Sequence, residues 1–102
     1  MDSPRITLLK QLLEQDPSSK LARYGLAMEY VNTDRLEEAI HEFHAVLASD
    51  PNYSAAYFHG GQTLEKLGRL DEAREFYRQG IERTQDAHAR AELQGALDIL
   101  GD

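Results

Sequence analysis

Cysteine is absent from this chain, which excludes a disulfide framework, a thiolate metal site and a thiol nucleophile. Cations are scarce: eleven Lys and Arg stand against eighteen Asp and Glu, a net charge of −7. Nucleic-acid binding needs clustered Lys and Arg to neutralise phosphates, and an anionic membrane surface attracts the same clusters. Neither partner is expected. No apolar run has the length of a membrane span. The opening Met1-Asp2-Ser3-Pro4-Arg5 lacks the basic and apolar regions of a secretory signal, so a cytoplasmic protein is expected. No stretch alternates apolar and polar residues with the period of a strand.

What the chain does contain is an echo. Arg35-Leu36-Glu37-Glu38-Ala39 returns as Arg69-Leu70-Asp71-Glu72-Ala73, 34 residues later, and Asp16-Pro17 returns as Asp50-Pro51 at the same interval. A 34-residue period is that of a helix–turn–helix unit stacked into a solenoid. At 102 residues, 41% hydrophobic and 28% charged, the chain suits one soluble domain with its own core.

Helix signals fall into this frame. Ser3-Pro4 makes a capping hydroxyl followed by proline at the first helical position, and Ile6, Leu9, Leu12 and Leu13 recur at helical spacing up to Asp16-Pro17. Adding 34 to those four gives Ile40, Phe43, Val46 and Leu47, so the first helix reads as the second half of a unit that has lost its first half. Lys20 to about Asn32 forms the next helix, apolar nearly all round. After the Asn32-Thr33-Asp34 turn, Asp34 and Glu37 are spaced as a capping box. The helix they open carries Leu36, Ala39, Ile40, Phe43, Val46 and Leu47 on one stripe. A helix from Ser54 to Leu67 closes at Gly68. Its partner carries Leu70, Ala73, Phe76, Tyr77, Gly80 and Ile81. Thr84-Gln85-Asp86 breaks the chain before a last helix, Ala87 to Leu100, with the narrow apolar face Leu93, Leu97 and Leu100. The expected architecture is all-α: six helices, with neighbours antiparallel because their connections are short.

These residues resemble the tetratricopeptide repeat family. Counted from Lys20, Leu26, Ala27, Tyr30, Ala39, Phe43 and Pro51 fit its motif, Val46 departs modestly, and Arg23 departs at the aromatic position. Counted from Ser54, Tyr57, Gly61, Ala73 and Tyr77 fit, while Gly60, Leu64, Gly80 and Gln85 depart. The small residues Ala27, Gly61, Ala39 and Ala73 let paired helices approach closely, and Phe43 and Tyr77 fill the space they leave. The resemblance implies a single solenoid domain over 1–102, an αα superhelix. It divides into a half-repeat helix at 3–16, repeats at 20–53 and 54–87, and a capping helix at 87–101. Gly60 and Gly61, mid-helix, read as close helix packing or as backbone approach by a ligand.

The resemblance also implies function. Members of the family bind an extended peptide or a helix on the concave surface, lined by the first helix of each unit. Carried onto this chain, the lining is Leu21, Tyr24, Met28, Val31 and Asn32, then Ala55, Phe58, Gln62, Glu65 and Lys66. Tyr24, Met28 and Phe58 are expected to face the groove, unless a terminal helix folds over them. His59, beside Phe58, reaches the groove or packs as a neutral imidazole. The carboxylate clamp of chaperone-binding members needs permanent cations. Its positions here fall on Tyr24, Met28, His59, Ala89 and Leu93, so acidic C-terminal peptides are not the expected ligand, and apolar or mildly basic segments suit better.

Glu37, Glu38, His41 and His44 have spacings that could offer metal ligands, but they lie opposite the Leu36–Leu47 stripe, where solvation is the simpler account. No metal or cofactor is expected. No Ser/His/Asp arrangement and no phosphate loop suggests an enzyme. The expected role is a non-catalytic scaffold or adaptor with a protein or peptide partner. The alternative is a homodimer assembled through the terminal helices.

Overall fold

The computed structural model describes residues 2–101; the end residues Met1 and Asp102 of the expected 1–102 span lie outside them. Six α-helices and no strands are found among the described residues: α1 (Pro4–Gln15), α2 (Lys20–Asn32), α3 (Leu36–Ser49), α4 (Ser54–Lys66), α5 (Leu70–Arg83) and α6 (Ala87–Leu100). They form two compact units, residues 1–50 and 51–102.

The first unit holds α1, α2 and α3, with α2 packed on both of the others. Local chemistry sets the helix starts. Ser3 Oγ accepts from the Ile6 N–H at 3.2 Å with Pro4 in the first turn, and Ser19 Oγ accepts from Ala22 N–H at 3.2 Å, each satisfying one otherwise orphaned donor. The core joins Ile6 and Leu13 of α1 to Leu26, Ala27 and Tyr30 of α2 and Ala39, Ile40, Phe43 and Val46 of α3.

The expected capping box at Asp34 does not form. Helix α3 begins one residue later than it requires, with Arg35 at the N-cap and no side-chain cap. Asp34 instead takes a left-handed backbone, φ 62°, and its N–H donates to Val31 O at 3.1 Å. It closes α2 rather than opening α3. Gly68, the same position one repeat later, has φ 75° and donates to Glu65 O at 2.9 Å. A left-handed residue after a helix suits glycine and is tolerated by Asp.

The repeated Arg-Leu-acidic-acidic-Ala stretch has a different purpose. Arg35 grips Glu38 in a two-pronged fork, Nε to Oε1 at 2.8 Å and Nη2 to Oε2 at 2.6 Å. Arg69 grips Glu72 in the same way, at 2.5 and 2.8 Å. In the first unit the guanidinium also lies 4.7 Å from the centre of the Tyr30 ring and binds Asp2 Oδ1 at 2.7 Å, while Lys10 Nζ takes Asp2 Oδ2 at 2.7 Å. Lys10 first, then Arg35, hold the Asp2 carboxyl down to about 2.

The second unit holds α4, α5 and α6, with α4 and α6 both packed on α5 and on each other. Its core is Tyr57 and Leu64 of α4, Phe76 and Tyr77 of α5, and Leu93 and Leu97 of α6. Glycines make room for the aromatics. A Cβ on Gly61 would stand 2.3 Å from Tyr77 Cε1, and one on Gly80 would stand 2.8 Å from Tyr57 Cβ and 2.9 Å from Leu93 Cδ1. Of the two readings of the mid-helix glycines, close packing therefore accounts for Gly61.

Candidate functional site

In the first unit the predicted lining residues of α2 differ widely in surroundings. Leu21 is 73% exposed. Tyr24, Met28 and Val31 are half-buried, and Asn32 is exposed. The Tyr24 ring does not stand clear of the helix pair, as expected for a residue given wholly to a groove. Its centroid lies 6.2 Å from that of Phe43, tilted by 58°, so part of this side chain belongs to the α2–α3 core. The cause is the small Ala27 and Ala39, which draw α2 and α3 close enough for a flanking aromatic to reach the core.

In the second unit, Ala55, Phe58 and His59 of α4 come together. With Ser54 they form one wall of a cleft of about 350 Å³ whose other wall is Asp86, Ala89, Glu92 and Leu93 of α6. The last helix thus stands beside these residues and leaves Phe58 and His59 half-buried. The Phe58 and His59 rings meet edge to face with centroids 5.3 Å apart. Burial pushes the His59 imidazole below its ordinary value, with the Glu92 carboxylate opposing, so it is neutral at pH 7. The cleft therefore has an aromatic and aliphatic interior and carboxylates at its edge.

The other predicted α4 residues are elsewhere. Gln62 and Lys66 are exposed and outside this cleft. Glu65 is half-buried and accepts a short hydrogen bond from the Tyr77 hydroxyl, and burial together with that bond raises the tyrosine well above its ordinary value. Glu65 therefore secures the α5 aromatic. Sequence reasoning missed Asp86 and Glu92 as lining residues. The available signal was the period: Ala55 and His59 plus 34 give Ala89 and Leu93, which put α6 in the place of a further first helix.

Glu38 is held by Arg35, and His41 and His44 are exposed. Among the described residues no group of three His, Asp or Glu side chains is placed to hold a metal ion. No described helix is long and apolar enough to cross a membrane.

A tetratricopeptide repeat family model matches residues 24–88. The chain belongs to the tetratricopeptide repeat family. A solution structure of a tetratricopeptide repeat domain protein from Salinibacter ruber is 34% identical, with 83% of this chain and 89% of that chain covered and a TM-score of 0.78. A crystal structure of a tetratricopeptide repeat domain protein from the same organism is 33% identical over 80% of this chain and 94% of that one, TM-score 0.74. A solution structure of a protein from Bordetella parapertussis is 29% identical, covering 98% of this chain and 89% of that one, TM-score 0.80. No curated protein matches significantly. Tetratricopeptide repeats generally mediate protein–protein interaction, and the family is typically non-catalytic.

Proposed function

We propose that this tetratricopeptide repeat protein is a non-catalytic adaptor that captures a peptide or helical segment of a partner protein. The α4 face would provide the binding surface, and the cleft beside Phe58 its anchor. The observation that carries the reading is the cleft's composition. Phe58, Ala89 and Leu93 offer apolar contact, His59 is kept neutral, and Asp86 and Glu92 line the same space. Such a site takes an apolar side chain with a Lys or Arg beside it in the ligand. Asp86 accepts from His88 N–H at 2.9 Å as the cap of α6, and Glu92 Oε1 lies 3.7 Å from His88 Nε2; both carboxylates keep acceptor sites for that cation.

The test is capture from host lysate by wild type and by Phe58→Ala/Glu92→Lys, with folding checked by circular dichroism and captured proteins identified by mass spectrometry. Their segments are then titrated as peptides. A basic-apolar segment that loses about tenfold or more in affinity for the folded variant supports the reading, since anchors in apolar pockets dominate such interfaces. Equal binding to both proteins would sink it. Light scattering addresses the homodimer alternative: a stable dimer abolished by the same variant would assign the cleft to self-assembly.

A further inference from the structure

A second surface, independent of the α4–α6 cleft, lies in the first unit between α1 and α2. It is a cleft of about 410 Å³ lined by Leu9, Leu12, Asp16, Ser19, Leu21 and Ala22 among others. Of the lining residues Leu12 is 44% exposed and Leu21 73%, and elsewhere on α1 Leu8 is 55% exposed. These three, with Ile99 and Leu70, are the large hydrophobic side chains most open to solvent among the described residues.

The 34-residue period says what such a surface is built to hold. Leu9 and Leu12 correspond to Phe43 and Val46 of α3, which are fully buried in the same unit. The helix packed on α3 is α2: Tyr24 lies against Phe43, and Arg23 Nη1 donates to Glu42 Oε1 at 2.9 Å. At its start Lys20 Nζ binds Asp50 Oδ2, at the end of α3, at 2.7 Å. On α1 the position of Asp50 is taken by Asp16, that of Glu42 by Leu8 and that of Ala39 by Arg5. The corresponding start in the second unit is likewise tied down, Ser54 Oγ donating to Thr84 Oγ1 at 2.8 Å.

We propose that the α1–α2 cleft seats an amphipathic α-helix of a partner protein, lying on α1 in the sense in which α2 lies on α3. Its chemistry follows from the substitutions along α1. The first residue is a lysine or arginine facing Asp16, as Lys20 faces Asp50. Asp16 Oδ1 accepts from Ser18 Oγ at 2.7 Å, a neutral partner that leaves its charge uncompensated. The fourth residue is apolar, because Leu8 replaces the glutamate that Arg23 grips. A glutamate near the eleventh joins Arg5, whose side chain is 78% exposed and ion-paired to Glu29 at 3.3 Å. Helix polarity agrees, since the positive N-terminal end of the incoming helix lies at Asp16 and its negative end at Arg5. A second copy is the poorer occupant: a standard interface removes roughly 800 Å² per partner, more than twice what three partly exposed leucines supply.

The probe is the peptide of residues 20–32 carrying Arg23→Leu, Gly25→Ala and Tyr30→Glu, held helical by a lactam bridge and labelled for fluorescence anisotropy. Saturable binding is expected, weakened about tenfold or more by Leu12→Glu and by Leu21→Glu in the protein. Both leucines are surface-exposed, so circular dichroism should show both variants folded. Asp16→Lys should weaken binding about threefold to fivefold, as an exposed ion pair allows, and a peptide with Lys20→Glu should restore it. No saturable binding, indifference to both leucine variants, or failure of the charge swap would overturn the proposal. So would a dimer in light scattering that Leu12→Glu dissociates.

Discussion

Replacing Gly61 by alanine should destabilise this protein, although the same change at the uncrowded Gly95 of α6 should stabilise it. In a helix interior Gly→Ala ordinarily gains about 0.5–1 kcal/mol by reducing the freedom lost on folding. At Gly61 the new methyl would sit 2.3, 2.7 and 2.8 Å from three atoms of the Tyr77 ring. That ring cannot swing aside, being fully buried with its hydroxyl bonded to Glu65. Overpacking of this kind costs about 1–3 kcal/mol, and displacing the ring far enough to break the bond to a carboxylate costs about 1.5 kcal/mol more. The expected net effect is a loss of about 1.5–4 kcal/mol, lowering Tm by roughly 6 °C or more. Gly95 is the control, since nothing lies within 4 Å of a Cβ there; Gly95→Ala should gain about 0.5–1 kcal/mol. The first unit supplies a rescue, because it has the fully buried pair Ala27 and Phe43 at the same two positions. In Gly61→Ala/Tyr77→Phe the ring, no longer tethered to Glu65, can shift, and a coupling of about 1 kcal/mol should be recovered. Urea unfolding followed by circular dichroism measures wild type, Gly61→Ala, Gly95→Ala, Tyr77→Phe and the double variant. If Gly61→Ala is as stabilising as Gly95→Ala, the account of the glycine is wrong.

Two further outcomes follow from the first unit. Asp34→Gly should stabilise by about 0.5–1 kcal/mol, because the left-handed backbone there costs an L-residue more than glycine; unchanged denaturant midpoints would show that Asp34 bears no strain. Asp2 should titrate at about 2 in the folded protein. A folded carboxyl held below its ordinary 3.8 adds stability that is fully present above about pH 4 and is lost as pH falls towards 2. Its carboxyl carbon followed by NMR should show that low midpoint in wild type, and a higher one in Lys10→Ala.

Much of the fold was legible because its signals are local or strictly periodic. Ser3-Pro4 opens its helix through a hydrogen bond to the residue three positions on, and the 34-residue spacing pairs small residues with aromatics. Asp34 was misread because its spacing to Glu37 also matches a capping box. Which helix claims a residue in so short a turn depends on the sign of φ, and a sequence pattern does not carry it.

The sequence by itself determined the family, the all-α class and the order of the helices, since each depends on residue type and position along the chain. Tertiary structure decided how side chains at those positions divide between neighbours. Tyr24 leans on Phe43, Glu65 is taken by Tyr77, and the lining of the α4 cleft is completed by Asp86 and Glu92 of α6. Periodicity gives a residue's angle around its helix, but its partners depend on how closely two helices approach. That distance is set by the glycines and alanines of both at once.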